Sequence, residues 1–301
     1  MSDERQFSGR NPQHCCVRIA DITIGLLSDD PKLSLPVEGA MSRFLVDETD
    51  PDVNVSAAWG DLDREWGGER LFDCVGWQLY AEGDSYCFRF TSQGLGSFPY
   101  KVASFHREFT SGEVTLHRPY FPARRLVYPF EYPLDELLIT HLLARGRGVE
   151  LHACGVVDAQ GKGHLFLGQS GAGKSTMARL WHRHGTVLSD DRIILREVDK
   201  RLWMYGTPWH GEAEFACPAR APLTELVFLR HGRSNERVPL GGAEAAARLF
   251  ACSFPPFYSR GELDFTLRFL EQVVKSVPYY EFRFVADDRV VAFMLEHSAV
   301  R

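Results

Sequence analysis

The sequence predicts an α/β fold with a β-rich N-terminal part, and three patterns indicate it. A short apolar strand, 164–167, leads into the glycine-rich run 168–173, and a helix follows directly. Before residue 130, short alternating segments separated by turn residues are typical of strands. From residue 133 onward, apolar residues recur at helical spacing, and helices then alternate with strands.

The composition is that of an ordinary globular protein and excludes several classes of function. The net charge is −6 with a pI near 6.0, so we expect no general nucleic-acid-binding surface. No apolar run is long enough to span a membrane, and the polar N-terminus lacks the apolar core of a signal peptide. The seven cysteines contain no CxxC pair, which favours free thiols over a disulfide framework or a zinc site. We therefore expect a soluble, cytoplasmic protein.

The chain is long enough for two domains, which we expect at 1–130 and 131–301. The first is predicted to be β-rich and is a candidate for substrate recognition, and the second is predicted to bind nucleotide and to carry the catalytic site. Alternating segments in the first domain predict strands at 17–24, 77–80, 86–90 and 113–116.

The second domain is predicted to open with a helix at about 133–145, because apolar residues recur there at helical spacing and Gly146 and Gly148 follow as stop signals. His141 lies on the apolar face of this helix, and we interpret it as a packed histidine rather than a ligand. Strands are predicted at 149–157, 164–167, 186–189, 192–197, 202–205, 226–230 and 280–285, and further helices at 177–181, 243–250, 265–275 and 288–295.

The glycine-rich run fits the phosphate-binding pattern G-x-x-x-x-G-K-[ST], or Walker A, at every position. Glycines allow successive backbone N–H groups to curl around phosphate oxygens, and the start of a helix adds partial positive charge. In such a loop the lysine reaches the β- and γ-phosphates and the following hydroxyl ligates Mg²⁺. The alternative, a turn that happens to contain a lysine, is disfavoured by the flanking strand and helix. The predicted loop residues are Gly168, Gln169, Ser170, Gly171, Ala172, Gly173, Lys174, Ser175 and Thr176.

Two adjacent aspartates, Asp190 and Asp191, end a predicted strand 16 positions after Lys174. Such a pair offers one carboxylate for Mg²⁺ and another that accepts a hydroxyl proton. The alternative is a surface turn. A third candidate, His152, lies on the strand before the loop strand and is within reach of the phosphates, although a satisfied core histidine is an equal alternative.

In their order and spacing these residues resemble the C-terminal catalytic domain of bacterial HPr kinase/phosphorylase. The matching segments are 151–153, 167–175 and 188–192, and the resemblance covers residues 149–200 closely. The chain looks closer still to HPr-kinase-related proteins of peptide-modification gene clusters, including lasso-peptide serine kinases, which share segments like 206–212 and 221–223. The family core is also similar to that of phosphoenolpyruvate carboxykinase.

This resemblance implies roles for individual residues. Asp190 matches the catalytic carboxylate that deprotonates the acceptor serine, Asp191 matches its metal-associated neighbour, and His152 matches the histidine that supports that aspartate. Asp191 and Ser175 match the metal-binding positions, and Lys174 matches the loop lysine. The implied cofactors are ATP and Mg²⁺, and the implied partner is a peptide or small protein that accepts the phosphoryl group, with no role for nucleic acid or membrane.

Several alternatives stay open. The glycine-rich signature of true HPr kinases, with its arginine for phosphorolysis, is not recognisable, so we expect neither HPr as the substrate nor phosphorylase activity. Arg192, His210 and Arg220 are further candidates for the site or are structural, and Trp209 is either a wall of the acceptor groove or a core residue. A nucleotide-binding module without efficient catalysis and a simple NTP hydrolase are the rival functions. A homo-oligomer is also open.

Overall fold

The chain divides into two compact units, Met1–Leu138 and Ile139–Arg301. A computed structural model describes residues 13–48, 50–63, 67–96, 98–121 and 127–297. Both units contain a large sheet, and helices accompany the second one, so the predicted α/β class with a β-rich N-terminal part is confirmed. Within the described residues, no helix is long and apolar enough to cross a membrane.

The first unit is built on one nine-stranded sheet with the order β3-β1-β2-β4-β9-β8-β7-β6-β5. Neighbouring strands are antiparallel except at the β2–β4 and β4–β9 pairs, which are parallel. The strands are β1 (His14–Ile19), β2 (Ile22–Leu27), β3 (Leu45–Val46), β4 (Val53–Gly60), β5 (Glu69–Cys74), β6 (Trp77–Glu82), β7 (Ser85–Thr91), β8 (Pro99–His106) and β9 (Ser111–His117).

The predicted single strand 17–24 is wrong, because the chain turns back on itself there. Ala20 and Asp21 have φ values of 50° and 55° and form a two-residue turn between β1 and β2. Positive φ at both central residues is the mark of a hairpin turn whose twist matches the flanking strands. The apolar residues on both sides of Asp21 continue the alternation across the turn, which hides it in the sequence.

The strands predicted at 77–80, 86–90 and 113–116 are confirmed within β6, β7 and β9. Strands β4, β5 and β8 were not predicted. In β4 buried positions alternate with exposed ones, but asparagine and alanine, which are depleted in strands, occupy two of its outward positions.

A lysine is fully buried in this unit. Lys101 of β8 is 0 % exposed, and its Nζ lies 3.8 Å from Oε1 of Glu131 and 4.5 Å from the centre of the Phe90 ring. Burial lowers the pKa of Lys101 to about 8, although the carboxylates of Glu131 and Asp135 oppose the shift. The folded chain therefore holds this proton less tightly than the unfolded chain does.

We predict that the free energy of unfolding rises with pH between about pH 8 and pH 10.5 because of Lys101. In that window the unfolded chain binds more protons than the folded chain, so raising the pH favours the folded state. A shift from 10.5 to about 8 corresponds to roughly 3 kcal/mol. Urea unfolding of wild type and Lys101→Met over this pH range measures the effect. If the difference in free energy of unfolding between the two proteins stayed constant over this pH range, the prediction would be contradicted.

The second unit contains an eight-stranded sheet and most of the helices, and helix α1 spans the point at which the units divide. Its elements are α1 (Leu134–Leu142), β10 (Val149–Asp158), β11 (Gly163–Leu167), α2 (Lys174–Trp181), β12 (Gly185–Ser189), β13 (Arg192–Val198), β14 (Arg201–Gly206), β15 (Arg220–His231), β16 (Glu236–Val238), α3 (Gly242–Ala251), α4 (Arg260–Ser276), β17 (Tyr279–Phe284) and α5 (Arg289–His297).

Every helix and strand predicted for this unit is present, with boundaries shifted by a few residues. Two differences are larger. Strand β15 begins at Arg220 rather than at 226, because its first residues pair with β14 while its later ones pair with β11 and β17. The short strand β16 was not predicted. The helical stop signal after 145 is confirmed, since Gly146 has a φ of 94°.

The strands of this unit form a ring, because β11 pairs with both β10 and β15 and the path β10-β13-β14-β15 closes it. Strands β11, β15 and β17 are mutually parallel, so their carboxyl ends meet at one edge. Side chains on the two faces of these strands enter different cores. One core contains Phe166 and packs against α2 and α5, and the other contains Leu165 and Leu167 and packs against α3 and α4.

Candidate functional site

A cavity of about 450 Å³ lies at the carboxyl end of β11, where the chain passes into α2. It brings together all the predicted catalytic residues, the two predicted metal ligands and most of the predicted loop. Three loop residues, Gly168, Gln169 and Ala172, line a separate recess of about 280 Å³ instead. The cavity is lined by His152, Ser170, Gly171, Gly173, Lys174, Ser175, Thr176, Arg179, Asp190, Asp191, Gly211, Glu212 and His231.

The conformation of the loop depends on two glycines. Gly171 and Gly173 have φ values of 81° and 106°, in the left-handed region that other residues rarely adopt. At Gly173 a Cβ atom would also lie 2.5 Å from Cζ of Phe284. Gly171 and Gly173 are therefore required by the backbone, which turns directly into the first turn of α2.

Lys174 is held at the mouth of this loop. Its Nζ donates hydrogen bonds to the carbonyl oxygens of Gly168 and Gln169 at 2.8 and 3.2 Å. The side chain is 6 % exposed, and burial lowers the pKa of Lys174 while the carboxylate of Asp191 partly offsets this shift. The ammonium group is thus oriented by the carbonyl groups of the loop itself.

Asp190 is an anchor for the chain segment opposite the loop. It is 1 % exposed, and its carboxylate accepts hydrogen bonds from the backbone N–H groups of Gly211, Ala213 and Phe215 at 3.1, 2.9 and 3.2 Å. A Cβ atom at Gly211 would approach Oδ2 of Asp190 to 2.8 Å, so glycine is required for this close approach. Asp190 therefore fixes the segment 211–215 along one wall of the cavity.

Asp191 is the carboxylate that contacts the histidine. Its Oδ1 lies 3.0 Å from Nε2 of His152, and its Oδ2 accepts a hydrogen bond from Arg192. Burial acts to raise the pKa of Asp191, but the hydrogen bond from His152 and the charges of Arg192 and Lys174 outweigh it, so this pKa lies below its ordinary value. Asp191 remains ionised at neutral pH.

His152 therefore contacts Asp191 rather than Asp190. The register of the sheet explains this difference. His152 of β10 lies opposite Arg192 of β13, beside the end of the turn that carries Asp191. Successive residues of an extended chain point to opposite sides, so Asp190 turns toward 211–215 instead.

Four lining residues were not predicted: Arg179, Gly211, Glu212 and His231. Arg179 follows Ser175 by four positions, so a helical projection would have placed both on one face of α2. His231 lies at the carboxyl end of β15, and its Nε2 is 3.0 Å from the carbonyl oxygen of Gly171. His231 and Gly171 are 60 positions apart in the sequence, and only the pairing of β15 with β11 reveals their contact.

The remaining candidates have structural contacts. Arg192 lies over the ring of Phe254 at 4.4 Å and pairs with Asp191. Arg220 lies over Trp203 at 4.8 Å and is not among the lining residues. His210 is exposed at the edge of the 211–215 segment.

Two further interpretations concern packing. Trp209 is buried, in agreement with its interpretation as a core residue. His141 is also buried and contacts the hydroxyl of Tyr258, so its interpretation as a packed histidine is confirmed.

The oxygen donors of the cavity fit Mg²⁺ only if a ligand contributes others. In the part of the chain that the structure describes, no three His, Cys, Asp or Glu side chains come close enough to hold a metal ion. The Ser175 hydroxyl and the Asp191 carboxylate both line the cavity. Mg²⁺ is usually bound by one or two carboxylates together with substrate phosphates. This donor set therefore suits an ion shared with a triphosphate rather than an all-protein site.

Comparison with known proteins finds distant structural likeness alone. No protein-family model and no curated protein matches the chain. Among solved structures, the chain is similar to the Hpr(Ser) kinase/phosphatase from Coxiella burnetii, with 14% sequence identity and a TM-score of 0.30. The match covers 50% of this chain and 95% of that chain.

Proposed function

We propose that the chain is an ATP- and Mg²⁺-dependent phosphotransferase that acts on a hydroxyl group, a serine of a peptide or small protein. The observation that carries the proposal is the convergence of the glycine-rich loop, Lys174, His152 and the aspartate pair on one cavity. The motif resemblance to HPr-kinase-related serine kinases supports the choice of acceptor.

The loop side of the cavity suits a triphosphate. Backbone N–H groups of the loop and the first turn of α2 offer hydrogen bonds and partial positive charge to phosphate oxygens. Lys174, Arg179 and His231 add cationic or hydrogen-bonding side chains around the same space. Phosphoryl transfer depends mainly on positioning and charge stabilisation, which these groups supply.

On the opposite side, Asp191 accepts the proton of the attacking hydroxyl. Asp190 was the residue expected in this role, but three backbone N–H groups already occupy its two oxygens. Asp191 is ionised, lines the cavity and is oriented by His152. We therefore assign proton transfer to Asp191, positioning of that carboxylate to His152, and anchoring of the acceptor-side wall to Asp190.

Mg²⁺ would be held by Ser175, by phosphate oxygens and by a carboxylate oxygen of Asp191. When bound, the ion neutralises charge that develops on the transferred group. The chain's own residues then supply the orientation of donor and acceptor and the destination of the proton.

The proposed activity is tested by incubating the protein with Mg²⁺, γ-labelled ATP and a library of serine-containing peptides. We expect label on a serine, and none with Lys174→Met, because this variant lacks the cation that meets the transferred phosphate. Release of labelled phosphate at the same rate without peptide would identify an NTP hydrolase. ATP binding without either product would identify a nucleotide-binding module.

A further inference from the structure

A second recess, of about 410 Å³, lies where β15 and β17 end and α5 begins. It is separate from the phosphate cavity, and the mechanism proposed above does not use it. Both polar and apolar side chains line it: Arg233, Ser234, Asn235, Val285, Arg289, Ala292, Phe293 and Glu296.

The topology of the sheet places this recess beside the loop. Strands β11, β15 and β17 are parallel neighbours, so the segments that follow them leave the sheet at the same edge. At the end of β15, His231 lines the phosphate cavity, and Arg233, two residues further on, lines the recess.

The direction of a bound triphosphate follows from the same topology. His152 belongs to β10, and Asp190 and Asp191 follow β12, which pairs with β10. These residues therefore lie on one side of β11, whereas β15 and β17 lie on the other. A triphosphate whose transferred phosphate meets Asp191 extends its other end toward β15 and β17.

We propose that the recess at the ends of β15 and β17 binds the nucleoside of the triphosphate, an inference that rests on the proposed function. Asn235 accepts a hydrogen bond from the Val285 N–H at 2.9 Å through Oδ1, which leaves its NH₂ group as a donor. Arg233 is exposed and, within the described ranges, takes part in no ion pair. These donors suit the acceptor atoms of a base edge and the oxygens of a ribose.

The remaining lining groups complete a surface for a planar heterocycle. Val285 and Phe293 supply apolar contact area. Arg289 is exposed and forms an ion pair with Asp287 through both carboxylate oxygens. The recess beside Gly168 lies elsewhere, since it is bounded by Ala251 and Cys252 at the end of α3, on the face of the sheet opposite α2.

The test separates the nucleoside from the phosphates by comparing ATP with inorganic tripolyphosphate, both with Mg²⁺, in calorimetric titrations. Ala292→Trp fills the recess from the exposed face of α5, and Arg233→Ala removes the unpaired guanidinium. We expect each variant to bind ATP about tenfold more weakly than wild type and to bind tripolyphosphate within about twofold. Arg268→Ala, which removes an exposed arginine of α4, is the matched control and is expected to change neither affinity.

Each outcome decides the inference. Three results would overturn the nucleoside site while leaving the phosphate site intact. The variants could bind ATP and tripolyphosphate equally more weakly, both variants could keep the wild-type affinity for ATP, or the wild type could bind ATP no tighter than tripolyphosphate. A wild type that binds neither ligand would instead overturn the proposed function, and the nucleoside site with it. Thermal melting of each variant verifies that it is folded.

Discussion

Replacement of Asp191 by asparagine is expected to slow phosphoryl transfer by about a thousandfold, the range typical for loss of a general base. Asparagine keeps the shape of the side chain but removes the negative charge and the proton acceptor. Nucleotide binding depends on the loop and on Lys174, so the affinity for ATP is expected to change by only a few fold. Initial rates of label transfer and calorimetric titration with ATP measure the two quantities separately.

Asp190→Asn is the matched control, because it makes the same chemical change one residue away. Asp190 now accepts hydrogen bonds from three backbone N–H groups. The NH₂ group of asparagine is itself a donor, so at least one of these N–H groups would lose its acceptor. We expect a loss of about 1–3 kcal/mol in stability, as for other unsatisfied buried donors. The opposite result would identify Asp190 as the general base. In that case Asp190→Asn would abolish phosphoryl transfer without loss of stability, and Asp191→Asn would retain it.

The two aspartates also show how far the sequence predicts this site. The loop, the lysine and the acidic pair were recognisable because each is a local pattern with a fixed chemical purpose. Which carboxylate faces the histidine was not, since that depends on the β10–β13 register and on a segment that returns 21 residues later.

Elements of the fold were predictable for the same reason, and their assembly was not. The alternation and helical spacing of the second unit identify its helices and strands, but nothing local indicates that β15 pairs with β11 and closes the ring. His231 therefore escaped notice although it contacts the loop. In the first unit, the hairpin at Ala20 and Asp21 was missed because the apolar alternation continues through the turn.

His164 is a second case in which long-range contacts decide the role of a residue. It was predicted only to belong to the strand that enters the loop, yet it is 1 % exposed and lies between two carboxylates. Its Nδ1 is 2.7 Å from Glu225 Oε1, and its Nε2 is 3.2 Å from Asp158 Oδ2. The ring also stacks on Trp181 of α2 at 5.2 Å.

We predict that His164→Leu lowers the free energy of unfolding by about 3–5 kcal/mol, because it leaves two buried carboxylates without their shared partner. That is a large share of the roughly 5–15 kcal/mol that stabilises a typical domain. Urea unfolding of wild type and His164→Leu at pH 7 measures this loss of stability. Tyr280→Phe is the control, since it removes one 3.1 Å hydrogen bond to Glu225 without leaving a charge unpaired, and about 1 kcal/mol is expected. Equal losses in the two variants would contradict a charged network.

The pH dependence of this difference follows from Glu225. Burial acts to raise the pKa of Glu225, but hydrogen bonding and charge from His164, with help from Arg237, outweigh it, so this pKa lies below its ordinary value. The stability that Glu225 contributes is therefore fully present above the ordinary glutamate pKa of about 4.3 and is lost as the pH falls through the lower value of the folded state. We expect the advantage of wild type over His164→Leu to shrink over that acid range.

The same variant separates stability from ligand binding. His164 is near the start of β11 and the glycine-rich loop follows its end, so the two sites lie at opposite ends of one strand. Where His164→Leu is still folded, we expect it to bind tripolyphosphate with an affinity close to that of wild type. A weakened affinity in the folded variant would instead mean that the stacking of His164 on Trp181 sets the position of α2, and through it the geometry of the loop.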